Sequence, residues 1–271
     1  MIVKKLKIIL IILFLLSLVG SANAQISKDQ AYRLLNQANE SFRQANSTRD
    51  SEQAERLYDK SILTFEKIID EGQIKNAKLY YNLANAYFLK GDIGNAILNY
   101  RRAEKLDSSD TNIQKNLTFA RSKRIDKVGI KTEKRVLQTL FFWHYDVAIK
   151  TKFLLTCIFF AIVCISAAGI VWFGKRASWM TSLIISVILT VCLLSSLIVE
   201  SRTKESRICG VITDKEVVAR QGDGQNYSPS FKDPLNSGTE FDVLESRPGW
   251  LHIKLFDDSD GWIPEASAEL I

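Results

Sequence analysis

The sequence predicts a multidomain membrane protein in which an all-α helical array, a transmembrane hairpin of two helices and a small all-β barrel follow one another. Three observations carry this reading. The hydrophobic residues, 46% of the 271, gather into blocks at Ile8–Val19, Phe153–Phe173 and Met180–Val199. Before the second block apolar residues recur every three or four positions, the period of a helix. After the third block the runs become short or alternating and are punctuated by Gly and Pro, the pattern of strands and turns. This partition excludes one large soluble core. A multispanning transporter would need many more apolar blocks.

Residues 1–24 read as a signal peptide. Lys4, Lys5 and Lys7 form a basic start, Ile8–Val19 is an uncharged run, and Ser21-Ala22-Asn23-Ala24 supplies small residues before Gln25. No Cys follows the run, so lipoprotein processing is not expected. An uncleaved anchor is the alternative. The net charge of +6 conceals an acidic end, because Asp and Glu outnumber Lys and Arg two to one in residues 206–271. Nowhere are Lys and Arg concentrated on one face with interleaved aromatics, which argues against nucleic acid as a partner. Cys157, Cys164, Cys192 and Cys209 have neither disulfide-framework nor metal spacing.

Residues 25–130 read as stacked helices. Ala31, Leu34, Leu35, Ala38 and Phe42 form one stripe, Leu57, Ser61, Phe65 and Ile68 a second, and Leu79, Leu83, Ala86 and Tyr87 a third. Gly91-Asp92 separates two helical runs as a helix end and tight turn would. Ser61–Ile68 aligns with Ala96–Ala103 at an offset of 35, and Asn82-Leu83 with Asn116-Leu117 at an offset of 34. That period belongs to tetratricopeptide repeats. Residues 77–110 resemble one closely, with Tyr80, Leu83, Ala84, Tyr87, Gly91, Ala96, Tyr100 and Ala103 at the motif's packing positions. Ser108 stands where the family usually has Pro. The match over 28–70 is looser, and the turn around Asn46–Ser51 reads as enlarged. Thr111–Arg124 reads as a capping helix. The resemblance implies an all-α tetratricopeptide solenoid with a peptide-binding groove. That groove would be lined by Lys78, Tyr81, Asn85 and Phe88, with Lys115 and Phe119 from the capping helix. The alternative for Tyr81 and Phe88 is packing against the neighbouring helix or the membrane-proximal segment.

Residues 131–152 form an amphipathic linker. Lys131, Lys134, Arg135, Lys150 and Lys152 surround Leu137, Leu140, Phe141, Phe142, Trp143 and Tyr145, as in an interfacial helix. A helix packed on the repeats is the other reading. Two transmembrane helices follow at 153–174 and 177–199, each long enough for a hydrocarbon core of roughly 30 Å. Neither contains Asp, Glu, Lys, Arg, His or Pro, so both read as anchors, with no transport chemistry. Lys175 and Arg176 lie in the tight connection, and Lys150, Lys152, Arg202, Lys204 and Arg207 flank the outer ends. Charge alone therefore does not orient the pair. Export by the signal peptide and the even number of spans do, and they place both soluble modules outside the cytoplasm at the inner membrane.

In residues 206–271 five short strands are expected, around Val211-Ile212, Val217-Val218, Phe241–Leu244, Leu251–Leu255 and Gly261–Ile263. Gly238-Thr239-x-Phe241-x-Val243, Gly249-Trp250-Leu251-x-Ile253 and Gly261-Trp262-Ile263-Pro264 resemble a bacterial SH3-like (SH3b) domain. The resemblance implies that Trp250 and Trp262 close the barrel at strand starts. Tyr227, Trp250 and Trp262 are the candidate binding surface of this module, for an extended peptide or a wall fragment. A core role is the alternative for Trp262. The long loop Gly222–Pro234 carries binding or is disordered.

No catalytic centre, cofactor or metal is expected. Cys209 with His252 is the conceivable nucleophile–base pair, but Cys209 begins a strand where such a nucleophile needs a helix start. Asp257, Asp258 and Asp260 lack the EF-hand spacing and read as a solvated turn. The module order resembles the BatE-type proteins of the Bat aerotolerance operon of Bacteroidetes and related bacteria, over essentially the whole chain. It implies a scaffold for protein partners in a membrane complex of oxygen or oxidative-stress tolerance, beside von Willebrand A-domain membrane proteins. The alternative is a sensor or anchor that contacts peptidoglycan through the SH3-like domain.

Overall fold

The computed structural model of the chain describes residues 26–126, 141, 147, 149–206 and 208–271, with the side chains of 203–206 excepted. The expected signal peptide and most of the expected 131–152 linker, including Trp143, His144 and Tyr145, lie outside these residues. The chain divides into two compact units, 1–91 and 92–271. The division falls at Gly91, inside the segment expected as one helical domain.

The first unit holds α1 (Lys28–Ser47), α2 (Ser51–Asp70) and α3 (Ala77–Lys90). Each begins on a side chain that accepts orphan backbone N–H groups: Ser27 from Gln30, Asp50 from Glu52 and Gln53, Asn76 from Lys78. Gly91, left-handed at φ 93°, closes α3. Ala38, Ile62, Phe65, Ile68, Leu79, Leu83 and Ala86 form the core, so the three predicted stripes face one another. Burying Phe65 or Ile62 contributes about 1.5–3 kcal/mol each. The α1–α2 turn is not enlarged. Only residues 48–50 connect two helices of 20 residues each, so the extra length lies in the helices. Tyr58 supports the join by donating to Asn46 Oδ1 at 2.7 Å.

The second unit begins with α4 (Ile93–Leu106) and α5 (Thr111–Lys123), capped by Asp92 and Asp110. Ile97, Leu98, Tyr100 and Ala103 of α4 and Ile113, Leu117 and Ala120 of α5 are buried. Next come α6 (Ile149–Phe173) and α7 (Ala177–Ser206), packed along their length and joined by Gly174-Lys175-Arg176. Both are long and apolar enough to cross a membrane, in keeping with a two-span membrane protein. They outrun the predicted spans, since Lys, Glu and Arg continue a helix readily. The extension brings fully buried Lys152 to 2.5 Å from Glu200, at the end of the hairpin away from the turn. Deeper in, Ser166 and Ser182 hydroxyls meet at 3.0 Å, and Gly169 lets the Trp179 indole approach so closely that a Cβ would sit 2.7 Å from it.

The remainder is a seven-stranded β module. β1 (Cys209–Ile212), β4 (Glu240–Arg247), β5 (Trp250–Lys254), β6 (Asp260–Pro264) and β7 (Ala268–Leu270) form an antiparallel sheet in the order β6-β5-β4-β1-β7. β2 (Glu216–Val217) and β3 (Leu235–Asn236) pair separately. The five expected runs are strands β1, β2, β4, β5 and β6. β3 and β7 are additional, being two and three residues without alternation of their own. Alternate residues Leu251 and Ile253 point inward and join Ile212, Phe241, Leu255 and Ile263 in one core.

The Gly169 contact generates a prediction. With the four native cysteines replaced by alanine, Ser166→Cys together with Ser182→Cys should form a disulfide in membranes on mild oxidation. Adding Gly169→Leu should lower that yield severalfold, read as gel mobility.

Candidate functional site

A buried polar cluster in the second unit lies between α4–α5 and the β module. Glu240, the first residue of β4, is 3% exposed. Arg121 of α5 grips its carboxylate with two bonds, Nε to Oε2 and Nη2 to Oε1, both 2.7 Å. Arg124 Nη1 stands 3.4 Å from Oε2, and Arg101 Nε of α4 stands 3.2 Å from Oε1 as a charge contact outside hydrogen-bond geometry. Burial opposes the ionised carboxylate, but the Arg121 bonds and the three positive charges outweigh it and hold Glu240 below the usual range. Burial also opposes the Arg121 charge, which Glu240 more than restores. Arg124, buried beside Arg121, is pushed down instead.

Neighbouring contacts extend this docking. Asp126 accepts from the Asn236 backbone N–H and side-chain amide and from the Thr239 hydroxyl, at 2.6–2.7 Å. Arg102 pairs with Glu269 at 2.8 Å, and Lys105 donates to the Ile271 carbonyl. Gly94 of α4 lies so close to the β module that a Cβ would fall 2.0 Å from Ser237 Oγ and 3.1 Å from the Ile212 carbonyl oxygen. A basic helical face thus meets the acidic module, and its central charges are desolvated.

The groove residues divide between the two units. Lys78 is exposed near the start of α3, and Tyr81, Asn85 and Phe88 are half-buried along the same helix at helical spacing. On α5, Lys115 and Phe119 are exposed, and Lys123 Nζ lies 5.2 Å over the Phe119 ring.

On the β module, Trp262 is 7% exposed yet stands outside the apolar core, on the face opposite Leu251 and Ile253. His252, its cross-strand partner, stacks on it at 4.8 Å, and the Arg247 guanidinium lies over the indole at 4.6 Å. Acidic groups fasten both: His252 Nε2 is 2.8 Å from Asp260, while Arg247 bonds Asp223 and Glu245 and is held above the ordinary range by them. Trp250 is half-buried at the start of β5, and half-exposed Tyr227 packs over Gly222. The Gly222–Pro234 loop is tied back by Gln221–Ser228 and Ser230–Ala219 backbone bonds and by an Arg220–Pro229 bridge.

Cys209 and His252 engage different groups: the thiol donates to Asp242 at 3.3 Å, and the imidazole bonds Asp260. Asp257 accepts from Ser259, and Asp258 pairs with Lys254 at 3.0 Å. The acidic turn is thus bound up in its own hairpin. No protein-family model and no curated protein matches the chain.

Sequence reasoning missed the Glu240 cluster, the Lys152–Glu200 pair and the Arg247–Trp262–His252 stack. The first two join residues far apart in the chain, which local periodicity does not report. The stack was partly readable, because strand alternation puts His252 on the face away from Leu251 and Ile253.

The Glu240 shift sets a pH dependence. Its folded value is depressed, so its stabilisation is complete above the unfolded value of about 4.3 and is lost as pH falls through the folded value. In detergent, the protection of α4–α5 amides, taken relative to intrinsic exchange at each pH, should therefore fall below about pH 4. Glu240→Gln should cost roughly 3–5 kcal/mol of local protection at neutral pH and flatten the acid response.

Proposed function

We propose that the chain is a membrane-anchored scaffold for protein–protein interaction, without enzymatic activity, serving a bacterial aerotolerance or oxidative-stress membrane complex. Its helices are read as tetratricopeptide repeats, supported by the 34–35-residue internal repeat and by the 14-residue length of α3 and of α4, which Gly91-Asp92 separates in sequence. Its β module is read as SH3-like, supported by Trp250 at the start of β5 and by the five-stranded antiparallel sheet; Trp262, expected at a strand start, is instead the third residue of β6.

The observation that carries the proposal is the Glu240 docking. Helices before the hairpin in sequence hold a module that follows it. A hairpin with two crossings returns the chain to the face it left, so this docking is compatible with a bilayer only when both flanking segments share one compartment. Together with the signal peptide, that supports an inner-membrane protein whose soluble modules are both periplasmic. Lys78, Tyr81, Asn85 and Phe88 offer an ammonium, two aromatic rings and an amide along one helix, chemistry suited to a partner's peptide backbone and carboxylates.

Replacing Lys78, Tyr81 and Asn85 together by alanine should abolish co-purification of membrane-protein partners while helix content stays constant. Undiminished co-purification with intact folding would contradict the groove assignment.

A further inference from the structure

Beside the Trp262 stack the β module has a shallow cleft of about 290 Å³, lined by Arg220, Gln221, Ser230, His252, Asp260, Gly261 and Trp262. Its charged groups are not equally committed. Asp260 is bonded to His252. The neighbouring arginine, Arg247, is doubly paired with Asp223 and Glu245. Arg220 differs: Nη1 donates to the Tyr227 carbonyl oxygen at 2.8 Å, and no carboxylate pairs with its guanidinium among the described residues. A guanidinium presents five N–H donors in a planar fork matched to a carboxylate, so most of that capacity is unspent.

The position of Arg220 is held by the backbone. Its N–H donates to the Trp262 carbonyl oxygen at 2.8 Å and its carbonyl oxygen accepts from Trp262 N–H at 2.7 Å. Ser230, also in the cleft wall, is fixed by its backbone bond to Ala219 and packs where Gly261 lacks a side chain. The walls thus stand in place before any ligand arrives, which lowers the ordering cost of binding. The volume suits one side chain and its flanking peptide groups. Gln221 and Ser230 add neutral hydrogen-bonding groups beside the cation.

We propose that this cleft binds a carboxylate-bearing peptide, with Arg220 pairing the carboxylate and Gln221 and Ser230 bonding its backbone. The proposal rests on the reading of the β module as a second contact of the scaffold and names the chemistry of that contact. Asp260 opposes it, being a like charge in the same cleft, and its bond to His252 moderates that repulsion. The carboxylate can come from an acidic side chain of a protein or from a peptide stem of the cell wall.

The test uses the full chain in detergent and fluorescence anisotropy with a labelled acetyl-Gly-Ser-Glu-Gly-Ser amide, its Gln counterpart and a soluble muramyl peptide as competitor. The Glu peptide should bind at least about tenfold more tightly than the Gln peptide, a difference of one charge-assisted pairing. Arg220→Gln should remove that preference, Arg220→Lys should retain part of it, and Asp260→Asn should strengthen Glu-peptide binding severalfold. Competition by the muramyl peptide through Arg220 would assign the carboxylate to the wall, and its failure to compete would assign it to protein; either keeps the site. Equal affinity for the two peptides, binding undiminished in Arg220→Gln, or no binding at millimolar peptide would overturn the proposal. Such a failure is separable from failure of the scaffold reading, because the groove variants and their co-purification do not involve Arg220.

Discussion

A desolvated carboxylate surrounded by three guanidinium groups governs the second unit. Glu240 has little contact with water, and leaving it there unpaired would cost several kcal/mol. The Arg121 fork must therefore be in place whenever Glu240 is buried. Breaking the docking would rehydrate Glu240, Arg121 and Arg124, while keeping it demands a fixed geometry between α5 and β4. Replacing such a cluster by apolar residues of similar size would often hold a fold as firmly. What ion pairs add is orientation, since a bidentate pair admits one arrangement where an oily contact admits many. Asp126, by engaging Asn236 and Thr239 together, constrains the strand beside Glu240 from the same helical side.

That constraint changes what the hairpin must do. Two apolar helices can anchor a protein with no relation between the segments they separate. Here α4–α5 and the β module are partners, so the hairpin has to return the chain to its starting face. Lys152 and Glu200 reinforce this at the end where the chain leaves and re-enters. Their charges neutralise each other at the edge of the apolar stretch, where an isolated ion would be costly. Ser166, Ser182 and the close Gly169–Trp179 contact hold the two helices together further in. Docking thus depends on both crossings, whereas the hairpin can anchor the chain by itself.

Much of this architecture was legible locally. The stripes through Ala38, Phe65 and Leu83, the break at Gly91, the apolar hairpin and five of the seven strands all follow from periodicity and turn residues within short windows. The α1–α2 connection misled because its polar residues look like loop, whereas Ser47 and Ser51 are accommodated at helix ends by neighbouring caps. β7 depends on pairing with β1, and no window around Ala268 contains that information. Arg121 and Glu240 are 119 positions apart, and each alone reads as an ordinary surface charge. Trp262 was half-readable: alternation gives its face, but the His252 and Arg247 contacts that bury it come from two other strands. The Arg220 guanidinium, which no carboxylate pairs among the described residues, stands out only once Arg247 and Asp260 beside it are seen to be engaged.

The shared-face requirement is the point on which the molecule can be tested most directly. In cells with a permeabilised outer membrane, cysteine-free chains carrying Ser122→Cys on α5 or Ser246→Cys on β4 can be exposed to a membrane-impermeant maleimide. Both positions are solvent-exposed, one on each side of the hairpin in sequence. The account predicts that both label before the inner membrane is breached. Labelling of one position with protection of the other would separate Arg121 from Glu240 by a bilayer, and the docking could not exist in the cell.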